Sequence, residues 1–345
     1  MEAREMEEAL KVLDSSLSQI KWRLKFPAKR RLQLDVLALC TGMRPVVMID
    51  YGGKMPELQQ RLCALLKLIQ TELHIFENLK VMVIEDMIYL IHVQGLAEHV
   101  HSTLNSKLTL LLVDIEQDPP KMLVDAEKSS LGLQLKSIQK LFSSLFSQDE
   151  TEGDPLPSVG ETCVTDIRSS IHGISSQSSV IDLSNFLQHT EITLPTLNGW
   201  LLGYPIVYLF DKDHISEATY NLSAKPLHIF RLSVNRRGGS TKESQLEELL
   251  SFSVPYELSM RGEKEAWAEA FLESMQQKWE RCSQVWGSLR MDVTECHAQA
   301  IVFIDFTSIK FLAKWRFEQL GNVEWRYTSK LEHVRLLICS WQNGF

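Results

Sequence analysis

The sequence has few cysteines and none of the pairings that would give them a chemical role. Six of the 345 residues are cysteine, and no two of them form a C-x-x-C pair. No short cluster of histidine and cysteine offers metal-ligand spacing either, so no metal site is assigned. This composition excludes a disulfide-rich secreted scaffold and predicts reduced thiols in the cytoplasm, with the nucleus as the other compartment of that kind.

Long apolar runs are also missing. The longest, LTLLLVDI and YPIVYLF, fall far short of the roughly 20 residues that a membrane-spanning helix needs. The chain opens with MEAREMEEALK, which is acidic and amphipathic and contains no hydrophobic core of a signal peptide. The sequence therefore predicts neither a membrane span nor export.

The sequence has fewer basic than acidic residues, with 36 lysines and arginines against 44 aspartates and glutamates. The formal net charge is −8, so no overall basic field would draw the protein to nucleic acid or to acidic lipid. One basic stretch, Lys21 to Arg31, interrupts this composition, and a solvated face is the usual outcome for a run of that size. We expect no nucleic-acid partner and no membrane partner.

Apolar strand-like runs alternate with amphipathic helical patterns over the first 147 residues. PVVMID and LTLLLVDIE are apolar on both faces, and strands of that kind separated by helices indicate a sheet with helices on both faces. Three later strand-like runs follow one another closely and predict antiparallel additions to that sheet. The predicted fold class is α/β, with a mixed central sheet covered by helices on both faces and later strands added antiparallel.

These patterns divide the chain into three parts. Residues 1–26 form an amphipathic N-terminal helix, residues 28–289 form a single α/β domain, and residues 290–345 form a C-terminal extension of uncertain structure. The domain is interrupted at about 148–180 by an acidic, serine-rich stretch with too little apolar surface to offset the entropy of ordering, which predicts a flexible insertion. A long helix at about 261–289, with an aromatic stripe typical of a core-facing helix, closes the domain.

The N-terminal helix, predicted over residues 3–26, carries large apolar residues at alternating steps of four and three. This heptad seam is the pattern of a helix that packs lengthwise on another helix. Two interpretations are open: the helix lies on its own domain, or it docks a helix of a protein partner. The helix is predicted to end before Pro27, because proline disfavours helical geometry in the residue before it.

The stretch LPTLNGWLLGYPIVYLFD, residues 194–211, combines two glycines four residues apart with a tryptophan and a Tyr-Pro step. A short helix that ends at Gly203, followed by a strand that starts after Pro205, explains most of it by packing. Asn198 is the exception, since a buried amide needs partners. The stretch is therefore either a packed helix-to-strand corner or a ligand-contacting one with Asn198 as a candidate ligand-binding residue.

TLNGWLLGYPIVY, together with RPVVMIDYGG, LLLVDIE, SVGETCV and SFSVPYEL, resembles an uncharacterised vertebrate protein family built on a domain of unknown function. The resemblance covers residues 28 to 285, and it leaves the first 26 residues and those after 290 unmatched. It implies no activity, no cofactor and no catalytic residue. The function has to be argued from the residues themselves.

Two carboxylates stand at the ends of predicted buried strands. Asp50 closes PVVMID and Asp114 closes LLLVD, and the carboxyl ends of strands form the edge where open α/β sheets bind ligands. If the strands are parallel neighbours, the pair is a candidate for holding a divalent cation or for acid and base catalysis. The alternative is that each aspartate caps the turn or helix that follows it.

The glycine turn after Asp50 is a weaker candidate. Gly52, Gly53 and Lys54 precede a predicted helix, as in a turn that cradles a phosphate. The spacing matches neither the P-loop nor the dinucleotide-binding pattern. A flexible strand-to-helix turn is the alternative interpretation.

Two other groups of reactive side chains give no motif. Cys163 is followed by His172, but a nucleophile and its base need spatial rather than sequential closeness. His99 and His101 are two residues apart, a spacing that does not present both to one metal ion on a helix. We expect these histidines, and His92 near them, to be solvated or hydrogen-bonded.

The patterns assign no catalytic residue with a defined role, no cofactor and no oligomeric state. They favour an intracellular, non-catalytic protein-interaction module, with the helix at residues 3–26 as the contact for a protein partner. The alternative is an open-sheet α/β enzyme, or a nucleotide- or metal-binding protein, that uses carboxylates at the C-termini of strands.

Overall fold

The computed structural model describes residues 2–105, 110–146, 180–237 and 246–296. Within these ranges the chain forms eight α-helices and ten strands, and the strands pair into three sheets. The α/β fold class predicted from the sequence is confirmed. The division of the strands among three sheets is the feature that the sequence patterns did not predict.

Helices and strands alternate along most of the chain, which is the element order of an α/β fold. The helices are α1 (Ala3–Gln19), α2 (Phe26–Cys40), α3 (Glu57–Glu72), α4 (Val93–Leu104), α5 (Ser130–Phe146), α6 (Leu194–Leu201), α7 (Ile215–Ser223) and α8 (Ala266–Arg281). The strands are β1 (Val46–Met48), β2 (Leu79–Ile84), β3 (Met87–His92), β4 (Leu111–Asp114), β5 (Lys121–Met122), β6 (Val180–Asp182), β7 (Ile206–Leu209), β8 (Leu227–Arg236), β9 (Glu247–Pro255) and β10 (Trp286–Cys296).

The first sheet is mixed and has the strand order β1-β3-β2-β6. β2 and β3 form an antiparallel hairpin joined by Glu85 and Asp86, whereas β6 adds to β2 in parallel. Glu85 takes a φ of 53°, the left-handed conformation that tight two-residue hairpin turns use.

The first sheet separates two hydrophobic clusters. Along β2, Val81 and Val83 belong to one cluster, and Met82 and Ile84 belong to the other. Helices α1, α2 and α3 complete the first cluster, while α4 to α8 and the other two sheets contribute to the second. Because side chains alternate between faces along a strand, both faces of this sheet are covered, as predicted for the central sheet.

The N-terminal helix is shorter than the sequence predicted. α1 ends at Gln19, because Lys21 takes a left-handed φ of 55°, and Pro27 lies in the first turn of α2, where its missing N–H is not needed. Leu13 and Leu17 of the heptad seam are buried against α2 and α3. The seam therefore packs on the chain's own domain.

The second sheet contains the corner predicted at residues 194–211. β4 pairs in parallel with β7 and antiparallel with β5, and α6 leads into β7. Gly203 ends α6 with a φ of 75°. Gly199 lies against β7, where a Cβ would meet Val207 Cγ2 at 3.3 Å. The close approach of helix and strand explains why glycine stands there.

The third sheet consists of β8, β9 and β10 in the order β10-β8-β9. Two of the three later strand-like runs, β8 and β9, are antiparallel to each other, as predicted, but with β10 they form a sheet of their own and do not extend the first one. The third run, β7, pairs in parallel with β4 in the second sheet. The predicted helix at 261–289 ends at Arg281, and β10 begins at Trp286. Gly287 lies so close to β8 that a Cβ would be 2.7 Å from Asn235 Oδ1. The described fold therefore runs past residue 289 to Cys296.

Several sequence predictions fall outside the described residues. These are the predicted insertion up to residue 179, with Cys163 and His172 within it, and the C-terminal extension after residue 296. Among the helices that the structure describes, none combines the length and the apolar character that crossing a membrane requires.

Candidate functional site

A cavity of about 200 Å³ lies where α2, the β1–α3 turn, the end of α6 and β9 meet. Its charged lining consists of two arginines, Arg31 from α2 and Arg44 from the α2–β1 connection, and two carboxylates, Asp50 and Glu248. We call this cavity the arginine pocket. It combines elements that are distant in the sequence.

The rest of the lining is mostly apolar. Met48 and Leu202 are buried, and the ring of Tyr51 lies beside them in the lining. Ser251 is 2% exposed and adds a hydroxyl group from β9. The pocket thus pairs charged groups with an apolar wall, the combination that small-molecule sites use for specificity and for affinity.

A β-bulge explains why the two arginines reach β9. Leu232 pairs with Leu250 and Ser233 pairs with Glu248, so Leu249 is the extra residue of the bulge. Its carbonyl leaves the regular ladder and needs another donor. Arg44 Nη1 supplies that donor at 3.2 Å, which joins the α2–β1 connection to the third sheet.

Arg44 is the least satisfied charged group of the pocket. It is 4% exposed, and within the described part of the chain its Nε has no hydrogen-bond partner. Burial lowers the pKa of the Arg44 guanidinium, and the positive charge of Arg31 acts in the same direction. Arg44 lines the cavity, and a buried guanidinium whose hydrogen bonding is incomplete can accept an anion as its partner.

Arg31, in contrast, is held by its neighbours. Its Nη2 lies 3.0 Å from Asp35 Oδ1, and its Nη1 donates to the carbonyl of Glu248 at 2.7 Å. Burial alone would lower the pKa of Arg31, but the charges of Asp35 and its neighbours outweigh burial and raise it. Arg44 is therefore the cation that remains available to a ligand.

The two carboxylates of the pocket differ in the same way. Glu248 Oε2 accepts from Arg231 Nε at 2.8 Å, and its Oε1 accepts from Ser251 Oγ at 2.7 Å. Asp50 is exposed, and no side chain in the described ranges donates to its carboxylate. Partial burial nevertheless raises the pKa of Asp50, although the charge of Arg31 opposes the shift.

The structure separates the two aspartates that were predicted to pair. β1, which precedes Asp50, lies in the first sheet, and β4, which ends at Asp114, lies in the second. The prediction that these strands are parallel neighbours was wrong, because β1 pairs antiparallel with β3 and β4 pairs with β7. Asp114 caps a turn instead: its oxygens accept from the Glu116 N–H at 3.0 Å and the Gln117 amide at 2.7 Å.

The glycine turn is explained by packing. Gly52 takes a φ of 85°, and its carbonyl accepts a hydrogen bond from Trp22 Nε1 at 2.9 Å. A Cβ on Gly52 would lie 2.8 Å from Leu24 Cδ2. Gly52, Gly53 and Lys54 do not line the arginine pocket, so of this turn only the preceding Asp50 and Tyr51 belong to it.

Asn198 and His99 are also occupied by structural contacts. Asn198 is fully buried, and its Oδ1 accepts a hydrogen bond from the Tyr89 hydroxyl at 2.5 Å. His99 Nε2 donates to the carbonyl of Trp200 at 2.9 Å. Both contacts tie α6 to its neighbours, which favours the packing interpretation of the corner at residues 194–211.

A second polar cluster lies where the parallel strands β4 and β7 end. Glu116, Asp211 and His214 each offer one metal-ligating atom, and these atoms lie within 4.8 Å of one another. Glu116 Oε1 accepts from the Asp211 backbone N–H at 2.7 Å, and Asp211 Oδ1 accepts from His214 Nδ1 at 2.7 Å. These bonds fasten the turn between β7 and α7 to the end of β4, and they account for the cluster without a bound ion.

The sequence patterns missed Arg44 and misplaced the basic stretch. Lys21 to Arg31 was predicted to be a solvated face, yet Arg30 Nε donates to Glu247 Oε1 at 2.8 Å and Arg31 contacts β9. The signal for Arg44 is a single charge between apolar residues immediately before a buried strand. Such a residue must either find a partner inside the fold or face a cavity.

A family model described as "Domain of unknown function (DUF4504)" matches residues 14–303. The match extends beyond the predicted resemblance at both ends, since it includes the last third of α1 and all of β10. No curated protein and no solved structure matches the chain.

Proposed function

Because the chain belongs to the DUF4504 family, a domain of unknown function, we propose its function from the geometry: it is a non-catalytic module that binds a small anionic ligand in the arginine pocket. The observation that carries this proposal is the buried Arg44 guanidinium, whose Nε lacks a partner among the described residues. An unsatisfied buried donor costs about 1 to 3 kcal/mol. A carboxylate or phosphate bound at the Arg44 guanidinium would offset part of the cost of burying this charge.

Glu248 and Tyr51, two of the other polar groups of the pocket, are engaged by their neighbours, which supports a binding role. Both oxygens of Glu248 already accept hydrogen bonds. The Tyr51 hydroxyl donates to Asp35, and its pKa is raised well above the usual value, first by burial. A general base or nucleophile needs a group that is free to react near its working pH, and these groups are engaged.

The pocket also changes where an interaction with a partner would occur. The sequence favoured α1 as the contact, but α2 and α3 cover its apolar face. We therefore place the binding function in the arginine pocket, which opens to solvent beside Asp50.

The proposal is tested by thermal unfolding with acetate, propionate, phosphate and sulfate at constant ionic strength. We expect Arg44-dependent stabilisation: an anion at 100 times its Kd contributes about 2.7 kcal/mol, or several degrees in Tm. Arg44→Gln should abolish the shift. Arg290→Gln, which removes an exposed arginine paired with Asp292, is the matched control and should retain it.

A second measurement covers the case in which Arg44→Gln does not fold. In the wild-type protein, the Arg44 Nε–H resonance should move during titration with the stabilising anion. Shifts of Tm that are the same in wild type and Arg44→Gln, or an Arg44 resonance that does not respond to any anion, would disprove the proposal.

We also infer a reducing compartment, the cytoplasm or the nucleus. Cys40 and Cys282 are not in disulfides, and burial raises the pKa of Cys40 to about 12 and that of Cys282 to about 11. Asn221, in the sequon Asn-Leu-Ser, is buried and donates to the Ile115 carbonyl at 2.9 Å, so a glycan would break the fold. Imaging of a tagged chain tests this inference, and a secreted, glycosylated product would contradict it.

A further inference from the structure

We infer that the ligand of the arginine pocket is a free α-amino acid with an apolar side chain, held by its carboxylate on Arg44 and by its ammonium group on Asp50. This inference rests on the proposed function, because Arg44 must first bind an anion. It adds the chemical class of the ligand and the role of Asp50.

The size of the pocket limits the ligand to a few non-hydrogen atoms. The cavity holds about 200 Å³, below the roughly 300 to 1,000 Å³ of pockets that enclose drug-sized ligands. A nucleotide or an extended peptide would not be enclosed. A single amino acid is of the right order of size.

The charges of the lining favour a zwitterion over a simple anion. Arg31 and Glu248 are engaged with Asp35 and Arg231, which leaves one cation and one anion open: Arg44 and Asp50. A phosphate dianion would satisfy Arg44 but would meet Asp50 and Glu248 as like charges. An amino acid carries one charge of each sign and complements both open groups.

The apolar wall selects the side chain. Met48 and Leu202 line the same cavity as the charged groups, and both side chains are buried. An aliphatic side chain placed against them would lose water-exposed apolar area, which is favourable by about 25 cal/mol per Å². A charged side chain would be desolvated there without a partner.

Asp50 also distinguishes a free amino acid from the C-terminus of a peptide. In a peptide the nitrogen next to the terminal carboxylate is an uncharged amide. Such a ligand would pair with Arg44 but would leave Asp50 without a cation. The ammonium group of the free amino acid forms the charge-assisted contact that the peptide cannot form.

Calorimetric titration of the full chain with L-leucine, N-acetyl-L-leucine and L-leucinamide tests the inference. L-leucine should bind, N-acetyl-L-leucine should bind at least tenfold more weakly, and L-leucinamide should not bind detectably. Asp50→Asn should weaken L-leucine about tenfold, which is about 1.4 kcal/mol, and should leave N-acetyl-L-leucine unchanged. Arg44→Gln should abolish both, and Arg290→Gln should match the wild type.

The outcomes separate the inference from the proposed function. If N-acetyl-L-leucine binds as tightly as L-leucine, or Asp50→Asn has no effect, the ligand is not recognised as a zwitterion. The proposal that the arginine pocket binds an anion is then unaffected. The same holds if only phosphate or acetate gives an Arg44-dependent response. Tighter binding of L-glutamate than of L-leucine would contradict the inference that the ligand has an apolar side chain. If no anion responds to Arg44, both proposals fail together.

Discussion

The hydroxyl of Tyr51 donates a hydrogen bond to Asp35 Oδ2 at 2.7 Å. Asp35 is 1% exposed, and its carboxylate oxygens lie against this donor and the guanidinium of Arg31. Burial raises the pKa of Tyr51, and the charge of Asp35 raises it further, which keeps the hydroxyl protonated and able to donate. The pair holds Arg31 in place, and this leaves Arg44 as the open cation of the pocket.

Replacing Tyr51 by phenylalanine should destabilise the protein. Tyr51→Phe removes the hydroxyl and leaves a buried Asp35 oxygen with one donor fewer, a loss of about 1 to 3 kcal/mol. Urea unfolding measures the change. Tyr220→Phe is the matched control, because Tyr220 is 55% exposed, and its effect should stay within about 0.5 kcal/mol. Equal effects of the two substitutions would show that the Asp35 contact does not contribute.

Gly42 and Gly52 both have a left-handed backbone conformation, but only Gly52 is tightly packed. Substituting each of them by alanine therefore distinguishes the cost of backbone strain from the cost of overpacking. Gly42 has a φ of 72° and open space around it, whereas a Cβ on Gly52, at φ 85°, would lie 2.8 Å from Leu24 and 2.9 Å from Trp22. Gly42→Ala should therefore cost only the strain of a left-handed residue, about 1 to 2 kcal/mol. Gly52→Ala should cost about 1 to 3 kcal/mol more, because it also overpacks the turn. Urea unfolding of both variants checks the difference, and equal losses would contradict the packing role of Gly52.

The parts of the fold that could be predicted are those that depend on short-range patterns of residues along the sequence. The heptad seam, the apolar strands and the glycine that ends α6 each depend on residues within one element or its neighbour. The pairing of strands is not local. Trp286 continues the aromatic spacing of α8, yet it belongs to a strand, because it pairs with Arg236 fifty residues earlier.

The arginine pocket could not be predicted from the sequence, because it too depends on contacts between residues that are distant along the chain. Asp50 was predicted as a candidate from its place at the end of a strand, and the structure places it in the pocket lining. Asp114 lies in another sheet, and the pocket that Asp50 lines contains Arg44 instead. The contact that places Arg44 spans 205 residues and depends on the bulge at Leu249, whose register no local pattern encodes.

His99 should make the protein sensitive to acid. Burial lowers its pKa to about 4, and the charge of Lys278 acts in the same direction. An unfolded histidine titrates near about 6.5, so between these values the unfolded state binds a proton that the folded state resists. The contribution of neutral His99 to the free energy of unfolding is therefore fully present above about pH 6.5. It falls as the pH drops, by about 3 kcal/mol at pH 4.

The substitution that isolates this effect is His99→Gln, whose amide can still donate to the Trp200 carbonyl but does not titrate. Chemical unfolding at pH 7.5 and pH 4.5 should show that the wild type loses roughly 2 to 3 kcal/mol more than the variant. Other carboxylates titrate equally in both proteins and cancel in the comparison. Parallel losses would mean that His99 accepts a proton in the folded state.

His214 should respond to pH with the opposite sign. Its Nδ1 donates to Asp211, and this bond, with the charges of Asp211 and Glu116, raises the pKa of His214. Burial alone would raise the pKa of Asp211, but the hydrogen bonds from His214 and its charge together outweigh burial and lower it. The histidine's contribution to stability is thus complete below about pH 6.5 and is lost as the pH rises through the raised value. That of Asp211 is present above about pH 3.9 and is lost as the pH falls through the lowered value.

NMR titration of the His214 ring tests this pair directly. Asp211→Asn removes the negative charge and should return the pKa of His214 towards about 6.5, whereas Asp213→Asn, a neighbouring substitution that leaves the Asp211 carboxylate in place, should not. If both variants titrate like the wild type, the contact between His214 and Asp211 does not persist in solution. The bond from the Asp211 backbone N–H to Glu116 would then remain as a link between the turn and the end of β4.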